Sequence, residues 1–204
     1  MLVEAIAISC NSDCILVKPI YAERYNHRNS KELKKSEDIH MEITEDSLKA
    51  LHTNSQAGHI AYILRVAEKI GLEEALRIHA DLHAKMADMV QEHLPHMGLE
   101  GNDAKAGMTL IEHVMEGHNP GILSLMDREK TEDTPQRVVS RHTGWCAVNE
   151  ACKMLGTSPR EFCPIPHEDG LTPLVQVINP KLSVRLGKLR PVDDCCELIV
   201  ELQE

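Results

Sequence analysis

Cys146, Cys152, Cys163, Cys195 and Cys196 give the carboxy-terminal third of the chain its chemical potential. The first three lie within eighteen positions of one another, and the Cys195–Cys196 pair opens an alternating segment able to return to them. Cys146 and Glu150 stand at i and i+4, which places them on one face of a helix. Cys152 lies six residues beyond Cys146, a rotation of about 600° at 3.6 residues per turn, so it faces elsewhere. One helix cannot aim both thiols at one point. The set best able to converge is Cys146, Cys163 and Cys196. Taken singly, each also reads as a small buried hydrophobe.

Convergence would allow two chemistries. In the first, Cys146 is a nucleophile whose thiolate is favoured by a helix N-terminus or by His142. Addition to an amidine-like carbon gives a tetrahedral adduct, and Glu150 or Asp169 shuttles the proton to the departing nitrogen. In the second, the three thiolates hold a soft metal or an iron–sulfur cluster, although none of the spacings is a regular cluster spacing. His79 and His83 form a separate constellation at i and i+4, able to chelate zinc, iron or nickel. No Glu follows His79, which disfavours peptidase chemistry, and His59 and His113 on neighbouring predicted helices are candidates for a third ligand. With 12 His in 204 residues, such a pair also arises by chance, and both rings read equally well as solvated. The cofactor stays open among none, zinc and iron.

The elements that must position these residues divide near residue 50. Residues 1–50 combine a short β-like run, Ala5 to Val17, with a polar stretch carrying Lys31, Lys34 and Lys35, and read as a poorly packed arm. Cys10-x3-Cys14 lacks a second pair at finger spacing, so its metal signal is weak. The apolar start lacks the basic residues of a signal peptide. Residues 51–204 read as one domain. From Gln56 to Gly71, Ile60, Ile63, Leu64 and Ala67 form a helical stripe. A second helix runs from Leu72 and stops at Pro95. A third begins at Asn102 as N-cap and ends at Gly117. His93 and His96 suit a helix C-terminus, where cations meet the dipole favourably. Met86 and Met89 read as core, and the charge runs Asp127–Lys130 and Glu132–Asp133 as a solvated loop. Arg137–Thr143 reads as a strand, Cys146–Leu155 as a helix, and Leu174–Ile178 as helix or strand. Alternation over Leu182–Arg190 and Cys196–Leu202 predicts a hairpin. The expected fold is α+β, an amino-terminal helical layer packed on a small antiparallel sheet.

GWCAVNEACKMLG, Cys163, EDG, and INPKLSVRLGKLRPVDDCCELIVEL together resemble the L-2-amino-thiazoline-4-carboxylic acid hydrolase-like family. The likeness runs through Glu73-Glu74-Ala75, Cys146 with Glu150, Cys163 with Asp169, and Cys196-Glu197, and covers roughly residues 56–204. The chain departs from the family's Gly-Asp before the closing Cys, having Asp193-Asp194-Cys195-Cys196, so either Cys195 or Cys196 can take the family position. The resemblance implies hydrolysis of a C–N bond in a small cyclic amidine-like substrate, with Cys146, Cys163, Cys196, Glu150 and Asp169 as the site. The opposing reading is a non-enzymatic metal- or ligand-sensing domain using the same cysteines, its helices forming a homo-oligomer surface.

Composition excludes other classes. Aromatic residues are 2% and the net charge is −10, which argues against nucleic acid, whose affinity rests on stacking platforms and clustered cations. No run approaches the ~18 apolar residues of a membrane helix. An odd count of seven Cys reads as reduced thiols in a cytoplasm. A small molecule is the expected partner.

Overall fold

The chain divides into two units, Met1–Glu42 and Ile43–Glu204. The structure, a computed structural model, describes residues 44–204. The expectations for the amino-terminal arm as far as residue 43, including Cys10-x3-Cys14, lie outside the described residues.

Local signals set the helices. Thr44 caps α1 (Glu45–Ile70), its hydroxyl accepting the Ser47 amide at 3.2 Å, and Glu45 and Asp46 occupy the first turn where the helix dipole favours negative charge. The helix therefore starts well before the apolar period at Gln56, and residue 50 lies inside it. Its apolar stripe begins only at the second turn, so periodicity alone misses the capped start. Gly71, at φ +89°, separates α1 from α2 (Leu72–His93). Pro95 then sits in a single 3₁₀ turn, Leu94–His96. Asp103 caps α3 (Ala104–His118): its carboxylate accepts the Lys105 and Ala106 amides at 3.0 and 3.1 Å. The cap is thus Asp103 rather than the expected Asn102.

The short α4 (Ile122–Leu125) leads into strands β1 (Asp127–Asp133) and β2 (Arg137–Thr143). Helices α5 (Ala147–Leu155), α6 (Pro159–Phe162) and α7 (Pro164–Gln176) follow, so most of Leu174–Ile178 is helical. Strands β3 (Leu182–Leu186) and β4 (Cys196–Leu202) complete an antiparallel sheet of order β1-β2-β4-β3. The fold is α+β, as expected. Other expectations fail: Met89, read as core, is exposed, and the charged run at 127–133 is an edge strand, not a loop. Charge suits an edge because it blocks pairing with another chain, and the backbone is satisfied on its inner side alone by β2. Its charges are also paired, Arg128 with Glu112 of α3 at 2.8 Å and Glu129 with Arg141 of β2 at 3.2 Å.

Register decides which side chains face the helices. Val138 opposes Val200, Ser140 opposes Leu198, and His142 opposes Cys196. With a side-chain period of two, these pairs share one face with Leu182 and Val184. That face packs against Met108, Leu110 and Ile111 of α3 and Leu174 and Val175 of α7. Gly107 permits the approach of α3: a Cβ there would lie 3.0 Å from Val200 Cγ1 and 3.2 Å from Leu182 Cδ1. A second core joins Ala57, Ile60 and Ile63 of α1 to Ala75 and Leu76 of α2, Ala151 and Cys152 of α5, and Phe162 of α6. Among the described residues no helix is long and apolar enough to cross a membrane.

Gly107→Val forces these layers apart. We expect destabilisation of about 1–3 kcal/mol, read as a lower urea midpoint with an unchanged slope.

Candidate functional site

A cavity of about 260 Å³ opens between the two cores. Most of its wall is apolar, including Ile60, Ile63, Phe162, Leu171 and Leu198. Into it come Cys146 from the start of α5, Cys163 from the start of α7, and Cys196 from the start of β4. The three thiols selected in the sequence thus line one space, together with His79 and His83 from α2. Cys152 is fully buried in the second core instead. Cys196 opposes His142 on the inward face, and the period of two turns the buried Cys195 to the other side. Sheet register therefore selects Cys196 over Cys195.

Glu150 and Asp169 do not line the cavity. Cys146 precedes the first helical turn, with extended φ −148° and ψ 122°, so the helical i, i+4 relation to Glu150 does not apply. The Glu150 carboxylate instead accepts Lys153 Nζ at 2.7 Å and Asn149 Nδ2 at 3.1 Å. Asp169 stands six residues after Cys163, about 600° around α7, and is exposed. The residues of α7 that share the inward face with Cys163 are Pro166, His167, Gly170 and Leu171. Gly170 lets α7 close on α2, since a Cβ there would lie 3.1 Å from His83 Cβ. His167, at i+4 from Cys163, was the legible candidate: applying the helical spacing to Cys163 rather than Cys146 finds it.

The cavity also gathers imidazoles. His59, His79 and His83 pack edge to face in a row, with ring centroids 4.4 and 4.3 Å apart. Among the described residues, no three His, Cys, Asp or Glu side chains are grouped closely enough to hold a metal ion. His113 bonds the Thr109 carbonyl of its own helix at 2.9 Å and does not join them. His142 Nε2 shares a hydrogen bond with Ser140 Oγ at 3.0 Å. His167 Nδ1 lies 2.8 Å from the Cys163 carbonyl, which can only accept, so Nδ1 carries the hydrogen and Nε2 is left free.

Desolvation dominates the protonation states. Burial pushes His79 down to about 4, helped by the fields of His83 and His59. Burial pushes His142 to about 4 as well, helped by Arg128. His59, His83 and His167 are lowered by the same cause. Burial raises the Cys146 thiol, with the Asn149 amide and the Arg190 guanidinium pulling the other way. It raises the Cys163 thiol as well, and the neighbouring Cys146 and Cys196 add to the shift. At neutral pH the histidines here are uncharged, and Cys146 and Cys163 are thiols.

Arg190 is the member that no sequence pattern announced. It lies in the irregular segment between β3 and β4, and its Nη1 donates to the Gly144 carbonyl at 2.6 Å. Its Nε and Nη2 are buried without a partner. Gly144, at φ +64°, makes the turn from β2 to α5 that presents both this carbonyl and Cys146, and a Cβ there would collide with the Asp127 carboxylate.

Depressed histidines link the fold to pH. Between 6.5 and about 4, an unfolded chain binds protons that folded His79 and His142 refuse, so stability falls as pH drops through this window. We expect a lower urea midpoint at pH 4.5 than at pH 7, and a smaller drop in His142→Gln. An unchanged drop in that variant would assign the effect to other groups.

No family model and no curated protein matches the chain. Among solved structures it is similar to a mutant of an unliganded Fe(II) H-NOX protein from K. algicida, at 12% identity over 70% of each chain, with a TM-score of 0.41. A likeness of that size carries no argument about function.

Proposed function

We propose that the chain is a hydrolase acting on a C–N bond of a small cyclic amidine-like molecule, of the 2-aminothiazoline-4-carboxylate type, with the cavity as its substrate site. The observation that carries this reading is the arrival of Cys146, Cys163 and Cys196 at one apolar cavity. These are the thiols at which the chain resembles the L-2-amino-thiazoline-4-carboxylic acid hydrolase-like family.

The residues supply a consistent route. Cys146 enters as a thiol, since burial disfavours its charge. An amidine is protonated near neutral pH, and its arrival beside the sulfur lowers the thiol pKa by direct charge interaction. A neutral imidazole takes the thiol proton. His167 is suited to this role because its Nε2 is free, and His142 lines the same wall. The sulfur then adds to the amidine carbon, and the C–N bond breaks as the imidazolium returns the proton to the leaving nitrogen. Water adds to the resulting thioester-like carbon and expels the sulfur, restoring the thiol, so one water is consumed in all. Proton transfer falls to histidine in this scheme, because Glu150 and Asp169 do not line the cavity.

The second reading, a non-enzymatic binding domain built on the same cavity, is favoured by the protonated state of Cys146 and Cys163, because reactive cysteines ordinarily carry lowered pKa values. Turnover separates the two. Protein incubated with 2-aminothiazoline-4-carboxylate and related cyclic amidines is expected to yield the water-added product, and Cys146→Ala to lower kcat by at least ~100-fold with far-UV dichroism unchanged. Saturable binding with no product from any of these compounds would remove the hydrolase reading in favour of the binding one.

A further inference from the structure

Arg190 is the only permanently charged side chain among the described residues lining the cavity, and no carboxylate lines it. A guanidinium so placed is costly unless something carries the opposite charge. The protein does not supply it. Glu150, whose field reaches Arg190, is held by Lys153 and Asn149. The five lining histidines offer no negative charge in either protonation state. Cys146 is kept neutral by burial. The one internal rival is Cys196, whose side chain lies within hydrogen-bonding reach of the guanidinium and which, as a neutral thiol, would offer it a weak acceptor but no charge.

The geometry of what remains free is specific. The bond from Nη1 to the Gly144 carbonyl pins one side of the guanidinium. The unpartnered Nε and Nη2 form the opposite, side-on edge, two parallel N–H donors spaced to match the two oxygens of a carboxylate. Charge sets the ligand class further. One arginine balances one negative charge, whereas a phosphate would bring nearly two into an apolar space. The volume, about 260 Å³, sits at the small end of ligand cavities.

We infer that Arg190 is the anion anchor of this cavity, its Nε–Nη2 edge receiving the single carboxylate of a small ligand beside Cys146 and Cys196. This rests on reading the cavity as a small-molecule site, not on the reaction performed there. Arg190 is then a specificity residue, and neutral analogues of the same shape are rejected because they leave its donors unpaired.

The test is a calorimetric titration of the full chain with thiazole-4-carboxylate and with thiazole-4-carboxamide. Neither carries a hydrolysable amidine. The carboxylate should bind at least about tenfold more tightly. Arg190→Gln should abolish that preference, and Arg190→Lys should keep part of it, since the charge stays and the fork is lost. Equal binding of the two probes, binding of neither, or a preference that survives in Arg190→Gln would overturn the assignment. The wild-type comparison decides even if the variants fail to fold. A preference that appears only in Cys196→Ala would also overturn it, by making the Cys196 sulfur the partner of Arg190. Preference without turnover of any cyclic amidine would leave the anchor standing and remove only the hydrolase, so the two readings fail separately.

Discussion

Val138 opposite Val200 at the centre of the sheet holds β2 and β4 in register, and the cavity end of the sheet follows from that pairing. A slip of β4 by one residue would send Cys196 to the outer face and bring Glu197 inward. The cost of such a slip is large, because Met108, Leu110, Ile111, Leu174 and Val175 cover the inward face. Packing in the sheet core therefore dictates chemistry at its rim. The same alternation explains why only one member of the Cys195–Cys196 pair faces the cavity.

Desolvation is the second organising effect, and it acts on acids and bases in opposite senses. It raises thiols, lowers imidazoles, and so leaves the wall of the cavity largely uncharged at neutral pH. Against that background a single guanidinium with two idle donors is the strongest electrostatic feature of the site. Neutral thiols and neutral imidazoles line the same cavity, and the charge each would carry depends on what else enters. A charged molecule entering this space would alter the acidity of the groups it met.

The helices contribute by bridging two cores. Helices α3 and α7 belong to the core on the sheet, while α1, α5 and α6 belong to the other, and α2 touches both through Leu76 and its contact with α7. The cavity lies where these cores do not quite meet, which is why its wall draws on so many elements. Two glycines close the surrounding layers, Gly107 for α3 on the sheet and Gly170 for α7 on α2, each at a distance where a larger side chain would have to displace a neighbour.

Periodicity and caps in the sequence were sufficient for much of this. They located the principal helices from the positions of Ile60, Ile63 and Leu76, the hairpin from the alternation in β3 and β4, and the α+β class from their order. Rotation along a helix, a short-range rule, also set Cys152 apart from Cys146, whereas the choice between Cys195 and Cys196 stayed open until the sheet register made it. Those rules failed where the backbone left regular geometry. Cys146 is extended rather than helical, so Glu150 points to Lys153 instead of joining the thiol. The charged run Asp127–Asp133 became a strand because β2 offered it hydrogen-bonding partners, a reason external to the segment. Arg190 belongs wholly to tertiary structure: its position in an irregular connection carries no pattern, and its meaning comes from an anchor at Gly144 and a wall without carboxylates. Local sequence specifies which way a side chain leaves its own element. Whether two such side chains meet, and what charge they hold when they do, depends on the packing of elements distant in the chain and on the water that packing removes.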